Sequence, residues 1–451
     1  MTSRIIDIAV IGAGPVGCVT ALAFARQGAR VVLLEALPHA ARRLAGEWLH
    51  PPAVKVLEDL GVRASLAASE VPNTRGFVVF PHDGDTPVFL EYPHGSSGMS
   101  CDHHTLVCAL REVAAAHPLI DYVPFARPVE ADGQRLTFKK KDGSIVSAAA
   151  DTVVGADGRF SSVRKKMGLS NQCTLLSYMA GVLLEDVELP FEGFGHLFLG
   201  GPGPVFAYRV GPRRVRACLD VPIDAFRLEE RNRYLWEAYS PALFPALRPA
   251  LRRALEGDGV AWAPNQFRPR ACYGVRGLAL VGDAVGFFHP LTAIGLTLGF
   301  MDGEYLARSQ DFDAYQQERI RRCHVPGLLS VSLYEFFRGD SEGARMMSSS
   351  IYDLWRRDAS DRQATMSILA GMEEDPMVFM KLFLKVLNIA TLHTVKDAPN
   401  WRWSRAGYLA RWLRWLVVSS LSHPVRPPPL SQASDGPLKA GAGPYVFESR
   451  D

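Results

Sequence analysis

The first 35 residues carry the hydrophobic pattern of a strand, a helix and a second strand. Residues 4–11 (RIIDIAVI) form a short, apolar, β-branched run, which is typical of a buried parallel strand. After a glycine-rich turn, the small residues at 18–27 predict a helix with Gly28 as its C-cap. A second apolar run at 30–34 ends at Glu35. This order predicts a βαβ unit at the start of the sequence.

Two later stretches alternate apolar and polar positions between frequent Gly and Pro turns. Residues 76–92 and 173–221 are rich in Val, Phe, Leu and Tyr, and we expect them to form strands of a separate sheet. Between them, the pattern predicts a helix at 103–116 and a strand at 151–155 that returns to the βαβ style. The remaining predicted elements are a helix at 50–60, a buried strand at 278–282 and a mainly helical region from 312 onward.

Length and composition indicate a globular protein of two or three structural units. The chain has 451 residues, a hydrophobic content of 48% and a net charge of +3. This charge is far from the basic excess of nucleic-acid-binding proteins, so we expect no nucleic-acid partner. The first apolar run ends in a glycine-rich turn rather than a cleavage site, and no run approaches the length of a membrane span. These features predict a cytoplasmic protein.

The cysteines show neither a disulfide framework nor a metal-binding pattern. The seven of them are scattered, without a CxxC pair or a Cys/His cluster at metal-ligand spacing. An odd number without a framework fits a reducing compartment. The sequence therefore predicts no metal site and no structural disulfide.

The strongest chemical signal is a Gly12-x-Gly14-x-x-Gly17 turn between a predicted strand and helix. The first glycine permits the tight turn, the second lets backbone approach a pyrophosphate, and the third lets helix and strand pack closely. The helix N-terminus supplies free N–H groups for phosphates, and Glu35 would accept hydrogen bonds from ribose hydroxyls. A glycine-rich turn in another α/β protein is the alternative. The dinucleotide-binding residues predicted from this motif are Gly12, Gly14, Pro15, Val16, Gly17, Glu35 and Ala36.

Two further motifs follow predicted strands. Asp157-Gly158 ends the strand at 151–155 and precedes a short helix, although such a pair is often only a turn. Gly282-Asp283 ends another strand, and the backbone amides around 294–296 begin a helix. Asp283 could bind a ribityl or ribose hydroxyl, and the helix N-terminus would face developing negative charge. A Gly-Asp loop before an ordinary helix is the alternative. Taken together and in this order, the three motifs indicate a flavin nucleotide site.

These three motifs resemble those of the flavoprotein monooxygenases related to para-hydroxybenzoate hydroxylase. Within that superfamily, the sequence is most similar to squalene epoxidases. Residues 46–51 (GEWLHP), followed by Val56-Leu57-x-x-Leu60-Gly61, look like that family's Gly-Glu-Leu-Leu-Gln-Pro segment and its Leu-x-x-Leu-Gly ending. The spacing from Gly282-Asp283-Ala284 to residues 289–292 (HPLT) is similar as well. The resemblance extends from residue 4 to about residue 320.

The resemblance implies an α/β fold with a discontinuous Rossmann-like, GR2-type FAD-binding domain, a mostly-β substrate domain and a C-terminal helical region. It also implies further cofactor contacts from Arg43, Glu47, Asp157 and Gly158, the last two near the pyrophosphate and a passing NAD(P)H. The contacts implied around the ribityl chain and flavin ring are Gly282, Asp283, Pro290, Ile294, Gly295 and Leu296. The expected domains are 1–71, 101–172 and 266–335 for FAD; 72–100 and 173–265 for substrate; 336–423 for the helices; and 424–451 as a disordered tail.

The sequence departs from the resemblance at two places. Many of these hydroxylases have an Arg three residues before a Leu in the helix corresponding to 103–116, where this chain has His103 before Leu106. The Gly-Gly-Gly that follows Pro-Leu-Thr in squalene epoxidases is replaced by Ala-Ile-Gly at 293–295. One flavin contact therefore differs, and the loop is expected to be stiffer.

The resemblance implies a single-component monooxygenase. NAD(P)H would reduce FAD, O₂ would form a C4a-hydroperoxide, and a lipophilic substrate (polyprenyl, polyketide or alkyl-aromatic) would be hydroxylated or epoxidised. A flavin dehydrogenase of the geranylgeranyl-reductase kind remains an alternative, as does a flavin-carrying membrane protein without turnover. A flavin halogenase is disfavoured because residues 401–405 (WRWSR) lack the Ile-Pro of a Trp-x-Trp-x-Ile-Pro box.

The predicted substrate sheet contains aromatic residues that could belong either to its core or to an apolar pocket. His196 and Tyr208 are the candidates for a catalytic residue, although a single His or Tyr of this kind is usually structural. The aromatic residues of this region are Phe191, Phe194, Phe198, Phe206 and Tyr208.

Residues 401–426 combine tryptophans with arginines and contain no acidic residue. A helix from about 408 would place Leu409, Trp412, Leu413 and Leu416 on one face, opposite Arg411 and Arg414. This pattern predicts an amphipathic helix that lies on an anionic membrane. A helix packed on the flavin domain with solvated arginines is the alternative.

Overall fold

The computed structural model describes most of the chain. The described residues are 5–37, 39, 46–66, 69–131, 135–257, 259–309, 311–396 and 403–421. The predicted cofactor residue Arg43 and the predicted disordered tail at 424–451 lie outside them.

Strands and helices alternate in the first part of the chain, and helices predominate in the last part. The strands are β1 (Ile5–Ile11), β2 (Val31–Glu35), β3 (Trp48–Leu49), β4 (Asn73–Thr74), β5 (Gly76–Phe80), β6 (Val88–Glu91), β7 (Gly98–Ser100), β8 (Ile120–Pro124), β9 (Arg127–Ala131), β10 (Arg135–Lys139), β11 (Ile145–Gly155), β12 (Thr174–Glu185), β13 (Phe194–Phe198), β14 (Val205–Gly211), β15 (Arg214–Val221), β16 (Ala261–Phe267), β17 (Gly274–Val275) and β18 (Leu278–Leu280). The helices are α1 (Pro15–Arg26), α2 (Pro51–Asp59), α3 (Val62–Ser65), α4 (His103–Ala116), α5 (Ser162–Lys166), α6 (Ile223–Phe226), α7 (Arg231–Tyr239), α8 (Arg248–Glu256), α9 (Gly295–Arg308), α10 (Phe312–Phe337), α11 (Glu342–Arg357), α12 (Ala359–Leu369), α13 (Pro376–Lys396) and α14 (Trp403–Leu421).

The first sheet is built around parallel strands. β18, β11, β1, β2 and β8 lie side by side in that order and run parallel, while β17 and the β9–β10 hairpin pair antiparallel at its margins. Val10, Leu33 and Val153 are fully buried, as expected for strands covered on both faces. The loops after β1, β2, β11 and β18 therefore meet along one edge of the sheet. This arrangement confirms the predicted α/β fold class.

Helices α1 and α9 pack together through glycines. A Cβ atom on Gly299 would lie 2.6 Å from Val16 Cγ2, and one on Gly303 would lie 2.5 Å from Thr20 Oγ1. Because real side-chain atoms do not approach so closely, the two glycines permit this helix contact. The close packing places the N-termini of both helices near the same edge of the parallel sheet.

The second sheet is mostly antiparallel, with the order β16-β12-β15-β14-β13-β5-β6. One face, including Phe198, packs with the helical segments at 231–256 in a separate apolar cluster. The other face, including Phe206 and Tyr208, joins a cluster formed with Leu291 and the C-terminal helices. Of the five predicted aromatic residues, Phe206 and Tyr208 therefore face the loop that contains Leu291.

Two predicted domain boundaries fall inside regular elements. α10 is continuous from Phe312 to Phe337, so a boundary at 335/336 would divide a helix. β16 extends to Phe267 and pairs with β12, so a boundary at 265/266 would divide a strand of the second sheet. The division of the chain into domains stays a prediction.

Several predicted elements are shifted in the structure. α1 begins at Pro15 rather than residue 18, because proline is favoured in the first turn of a helix. The strand predicted at 278–282 ends at Leu280, and Gly282–Ala284 form a one-turn 3₁₀ helix. β11 begins at Ile145, six residues before the predicted strand at 151–155, because its first half pairs with β10.

Three of the four residues on the predicted apolar face of α14, namely Leu409, Trp412 and Leu416, pack inside the protein, and only Leu413 does not. Trp412, Trp415 and Leu416 are buried against neighbouring C-terminal helices, whereas the side chain of Leu413 is 46% exposed. Trp412 packs on Phe336 with ring centroids 4.5 Å apart. The helix also begins at 403, five residues before the predicted start. Packing against α10 and α13 therefore buries Trp415 in place of the predicted Leu413.

Helix α13 contains a long apolar segment that was not predicted as a separate element within the helical region from 312 onward. Its segment Pro376–Val395 has a mean hydropathy of 1.4 and is long and apolar enough to cross a membrane, by length and composition. The segment contains charged residues, which is why the search for an uninterrupted apolar run missed it. Within the structure, 39% of the segment is buried.

Candidate functional site

The glycine-rich turn after β1 leaves one open space at the N-terminus of α1. Gly12 has a φ of 103°, a conformation that favours glycine. A Cβ on Gly17 would lie 1.7 Å from the Gly12 carbonyl oxygen, so that position has no room for a side chain. A Cβ on Gly14 would meet nothing within 4 Å. Gly14 thus presents unobstructed backbone at a helix N-terminus, the arrangement that a pyrophosphate requires.

Glu35 is held at the end of β2 beside this turn. One carboxylate oxygen accepts hydrogen bonds from the Ala13 amide at 2.9 Å and from Arg111 Nη2 at 2.8 Å. The other accepts from the Leu37 amide at 2.7 Å. Arg111 Nε also donates to the Ala13 carbonyl at 2.8 Å, which ties α4 to the turn. The carboxylate is thereby fixed where it can also accept from ribose hydroxyls.

Asp157 lies after β11 and caps α5. Its Oδ2 accepts from the Ser162 amide at 2.6 Å and from the Ser162 hydroxyl at 2.8 Å. Its Oδ1 is buried without a hydrogen-bond partner among the described residues. Gly158 has a φ of 77°, and a Cβ there would meet nothing within 4 Å. The turn therefore leaves space and an unused acceptor facing the same edge of the sheet.

Gly282 and Asp283 follow β18. The Asp283 carboxylate accepts from Arg159 Nε at 3.1 Å, and its side chain is 35% exposed. The Gly282 amide donates to Asp302 Oδ2 at 2.8 Å. Asp302 is fully buried, so this bond ties the Gly-Asp turn to the interior of the flavin domain.

A buried charge cluster supports that turn. Asp302 Oδ1 accepts from Arg319 Nε at 2.8 Å, and Asp302 Oδ2 forms an ion pair with Arg270. Arg270 also donates to the carbonyls of Gly282, at 3.2 Å, and Gly286, at 2.9 Å. One carboxylate from α9 therefore holds two guanidinium groups, and through them the loop at 282–286.

The loop before α9 is bent by a left-handed residue. Pro290–Thr292 form one turn of 3₁₀ helix, and Ala293 follows with a φ of 51°. Ile294 is the N-cap of α9, and a Cβ on Gly295, its first residue, would meet nothing within 4 Å. The N-terminus of this 14-residue helix is therefore unobstructed. Its free amides can stabilise negative charge on a bound group.

Glu47 lies in a buried ion pair rather than at an open surface. Its two carboxylate oxygens accept from Arg216 Nε and Nη2, both at 2.9 Å. The Tyr208 hydroxyl donates to Glu47 Oε2 at 3.0 Å. Burial raises the pKa of the Tyr208 phenol well above its ordinary value, with the nearby Cys218 and Glu47 adding to the effect. Tyr208 is therefore a neutral donor that orients Glu47.

The contacts of His196 are those of a structural histidine. Its Nε2 accepts from the Phe191 amide at 3.3 Å, and its Nδ1 lies 3.0 Å from the Phe194 carbonyl. Burial lowers the pKa of His196 to about 4, so the ring is neutral at physiological pH. Both ring nitrogens bind backbone of one loop, which favours the structural alternative over a catalytic one.

The positions brought together along the sheet edge are compatible with FAD. The open backbone at Gly14 suits a pyrophosphate, the fixed carboxylate of Glu35 suits a ribose, and the open N-terminus at Gly295 suits an electron-rich ring edge. Within the described part of the chain, no group of three or more His, Cys, Asp or Glu side chains could hold a metal ion. The seven cysteines are all free thiols.

Solved flavoproteins share this fold. PqsL from Pseudomonas aeruginosa, described as a probable FAD-dependent monooxygenase, has a TM-score of 0.60 at 18% identity, over 80% of this chain and 99% of that one. A flavoprotein/dehydrogenase from Cytophaga hutchinsonii has a TM-score of 0.70 at 16% identity, over 87% of this chain and 100% of that one. Residues 7–70 match the sequence model of FAD-dependent oxidoreductases. Fold and site together define a flavoprotein oxidoreductase.

Sequence similarity is more specific. Residues 148–405, more than half of the chain, match the squalene epoxidase family model. Squalene epoxidase erg1 of Aspergillus fumigatus is 27% identical over 425 residues, covering 87% of each chain. Squalene monooxygenase of Rattus norvegicus is 25% identical over 425 residues, covering 88% of this chain and 74% of that one. The chain belongs to the squalene epoxidase family, and it is an FAD-dependent monooxygenase.

Several residues of the site escaped sequence reasoning. Arg111 lies eight residues beyond His103 on α4 and reaches the Ala13 carbonyl, whereas His103 lies beside Gly46, so the departure at His103 gave no signal for Arg111. The Gly299-x-x-x-Gly303 pair in α9 was a visible signal for close helix packing. Arg216 and Asp302 gave no local signal, because their partners depend on the folded chain.

Proposed function

We propose that this protein uses FAD, NAD(P)H and O₂ to insert one oxygen atom into a lipophilic substrate. The observation that carries the proposal is the continuous apolar cluster between the second sheet and the loop before α9. It joins Phe77 and Phe206 of the sheet to Leu291 and Ile294 of the loop. A substrate between these surfaces would contact hydrocarbon on one side and the flavin on the other.

The geometry of the sheet edge supports the proposed FAD contacts. We assign the pyrophosphate to the turn at 12–17 and the N-terminus of α1, and the adenosine ribose to Glu35. Asp157 and Gly158 would border the pyrophosphate, and Asp283 would bind the ribityl chain. The flavin ring would lie against Pro290 and the amides at 294–296, with Glu47 nearby. Ala36 would lie next to Glu35, beside the ribose.

Bound FAD supplies the oxygen chemistry, through reduction by NAD(P)H and reaction with O₂ at the flavin C4a position. The chain's own residues bind and orient the cofactor and exclude water. The dipole and free amides of α9 stabilise negative charge at the adjacent ring edge. The buried aromatic residues Trp48, Phe77 and Phe206 remove water from the substrate side.

The surface beside Asp283 supports an anionic reductant. The Arg159 guanidinium is 29% exposed next to Gly158 and lies 4.8 Å above the Phe287 ring. Arg268 lies 4.8 Å from the same ring and donates to the carbonyls of Arg159 and Asn171. Three arginines, of which Arg164 is the third, lie near the two carboxylates of Asp157 and Asp283 and leave an excess of one positive charge. We propose that this excess attracts the phosphates of NAD(P)H.

The substrate class follows from the lining and from the relatives. The described residues facing the loop from the second sheet are mainly aromatic or aliphatic, which favours a polyprenyl olefin over a polar acid. The relatives are named squalene epoxidases or monooxygenases. Squalene and shorter polyprenyl olefins are therefore the first substrates to test, with polyketide and alkyl-aromatic compounds next.

Product analysis under ¹⁸O₂ tests the proposal. The holoenzyme, with NADPH and detergent-dispersed squalene, is expected to give a product carrying one ¹⁸O atom. Substrate-stimulated NADPH consumption without label would instead support a dehydrogenase of the geranylgeranyl-reductase kind. Stimulation only by polar aromatic acids would contradict the apolar substrate class.

We also propose peripheral membrane contact through α13 and α14. These packed helices expose apolar side chains on their outer faces, and Arg411 and Arg414 are exposed beside them. Lipid contact would cover these side chains, and anionic headgroups would bind the arginines. The exposed apolar residues are Leu384 at 46%, Leu392 at 49%, Val395 at 54%, Leu413 at 46% and Val417 at 49%.

Co-sedimentation with anionic phosphatidylserine vesicles tests this contact. Leu413→Glu is expected to reduce vesicle binding several-fold. Leu228→Glu is the matched control, because Leu228 is also 46% exposed and lies in the segment between α6 and α7. Equal binding by both variants would exclude the helical surface as the membrane contact.

A further inference from the structure

Three buried side chains link the second sheet to the loop before α9. Trp48 Nε1 lies 3.1 Å from the Tyr92 hydroxyl oxygen. That hydroxyl lies 2.8 Å from His50 Nδ1, and His50 Nε2 lies 2.9 Å from the Thr292 carbonyl oxygen. The relative exposures of these side chains are 2%, 5% and 0%. The three residues therefore form a continuous chain of hydrogen bonds that is shielded from water.

The direction of every bond in this chain is fixed by the chemistry of its ends. Indole N–H can only donate, so Tyr92 accepts from Trp48. The Thr292 carbonyl can only accept, so His50 carries its proton on Nε2. Burial lowers the pKa of His50 to about 4, so the ring is neutral and Nδ1 holds a lone pair. The Tyr92 hydroxyl therefore donates to Nδ1, and all bonds point from Trp48 toward Thr292.

The Trp48 end belongs to the proposed substrate surface. Its ring makes edge contacts with Phe77, Phe206 and Tyr208, at centroid distances of 5.3, 5.5 and 5.7 Å. A Cβ on Gly195 would lie 3.1 Å from the Trp48 ring, so glycine at that position leaves room for it. A ligand that displaces these aromatic rings would therefore also move the indole N–H.

The His50 end belongs to the proposed flavin surface. Thr292 precedes Ala293, the left-handed residue at the bend, and α9 begins two residues later. The His50 amide also donates to Thr297 Oγ1 in the first turn of α9, at 3.2 Å. Side chain and backbone of His50 thus hold both sides of the bend that sets the direction of the α9 N-terminus.

We propose that Trp48, Tyr92 and His50 form a positioning relay that couples the substrate surface to the helix N-terminus beside the flavin ring, an inference that rests on the FAD site proposed above. Occupation of the apolar surface would shift the indole, and the relay would transmit that shift to the Thr292 carbonyl. The α9 amides would then stabilise reduced FAD to a different extent. Substrate binding would in this way tune flavin reduction.

Substitutions at His50 test the flavin end without any substrate. His50→Leu removes both side-chain bonds. It is expected to raise the Kd for FAD about tenfold, as for one buried hydrogen bond. If the loss falls mainly on reduced FAD, the midpoint potential falls by about 30 mV for each tenfold difference in binding. His50→Gln keeps one acceptor and one donor, and glutamine is the residue of the similar Gly-Glu-Leu-Leu-Gln-Pro segment, so values near wild type are expected.

Trp48→Phe tests transmission from the far end. This change keeps an aromatic ring but removes the N–H. We expect the midpoint potential to shift in the same direction as in His50→Leu, by an amount that corresponds to a two- to threefold change in the ratio of the affinities for reduced and oxidised FAD. Trp355→Phe is the matched control, because buried Trp355 donates to Thr365 Oγ1 at 3.1 Å among the C-terminal helices. The control should leave the potential unchanged.

The outcomes separate the relay from the proposed substrate. Identical potentials for wild type, Trp48→Phe and Trp355→Phe would overturn the relay. If His50→Leu fails to retain FAD, the pair of tryptophan variants decides alone. In a second arm, squalene should shift the wild-type potential at least twice as far as that of Trp48→Phe, and equal shifts would contradict the relay. Failure to oxygenate squalene would refute the proposed function and leave the substrate-free result standing.

Discussion

Replacing Asp302 by Asn should damage both the stability of the fold and the affinity for FAD. Asp302 is fully buried and binds two guanidinium groups, of which Arg319 is fully buried and Arg270 nearly so. The same carboxylate accepts the Gly282 amide at 2.8 Å. Asparagine keeps the shape of the side chain but offers one acceptor oxygen and no charge, so two buried cations would lose their only carboxylate within the described cluster.

The expected loss is larger than that of a surface ion pair. Removing one partner from a buried pair costs about 3–5 kcal/mol, because the remaining charge stays desolvated. The Gly282 amide would compete with both arginines for the single remaining oxygen. Loss of one hydrogen bond at the Gly-Asp turn corresponds to about a tenfold weaker FAD affinity.

Urea unfolding of the holoenzyme, together with FAD titration, measures both effects. Glu237→Gln is the control, because Glu237 pairs with Arg233 at 2.8 Å on the exposed surface of α7. That pair should contribute less than about 1 kcal/mol. If Asp302→Asn lowers the free energy of unfolding by no more than Glu237→Gln, the buried cluster does not support the fold as argued.

Three further outcomes are expected. Gly17→Ala should prevent normal folding, because its Cβ would lie 1.7 Å from the Gly12 carbonyl oxygen. Gly14→Ala should fold normally and bind FAD at least tenfold more weakly. Circular dichroism and FAD titration distinguish the two variants, and equal behaviour would contradict the assignment of the pyrophosphate to Gly14. Burial lowers the pKa of His196 in the folded state to about 4, below its ordinary value of 6.5, so the folded state binds fewer protons than the unfolded state. The free energy of unfolding should therefore fall by up to about 3 kcal/mol as pH falls from about 6.5 to about 4. His196→Gln should flatten that part of the pH–stability profile, and an unchanged slope would contradict this assignment. Trp412→Ala should lower the free energy of unfolding by about 3–5 kcal/mol, because Trp412 is only 1% exposed and its removal leaves a cavity. Leu413→Ala should lower it by less than about 0.5 kcal/mol, because Leu413 is 46% exposed. Thermal denaturation compares the two variants, and similar losses would contradict the burial of Trp412.

Local patterns were sufficient for the elements that bind nucleotide in related folds. The helix at 103–116 was predicted with its observed bounds, and the motifs at Gly12, Asp157 and Gly282 follow strands as expected. Each of these features depends on residues within one turn or one strand. Their convergence was also predictable, because parallel strands carry their C-terminal ends to the same sheet edge.

Long-range partners could not be predicted in the same way. Glu47 and Arg216 are 169 residues apart in sequence and meet only when β3 and β15 approach each other. The sequence placed Glu47 near the flavin without indicating that a buried arginine neutralises it. In α14, periodicity predicted Leu409, Trp412 and Leu416 on the packed face, but it assigned Leu413 to that face instead of Trp415, which the neighbouring helices bury.

The distribution of charge is compatible with the proposed combination of an anionic reduced flavin and a hydrocarbon substrate. Near the proposed flavin site, the buried carboxylates of Glu47 and Asp302 each bind arginine, so neither adds an unpaired negative charge that would oppose reduction of the flavin. The backbone amides at the N-terminus of α9 form the positive end of the helix dipole, which would stabilise the reduced flavin and needs no counterion. At the proposed substrate surface, the Trp48 indole donates to Tyr92 and Tyr92 binds His50, so an aromatic surface can face hydrocarbon without an unsatisfied donor. Because burial holds His50 neutral and both of its ring nitrogens are hydrogen-bonded, this set places no charge between the proposed apolar surface and the proposed flavin surface.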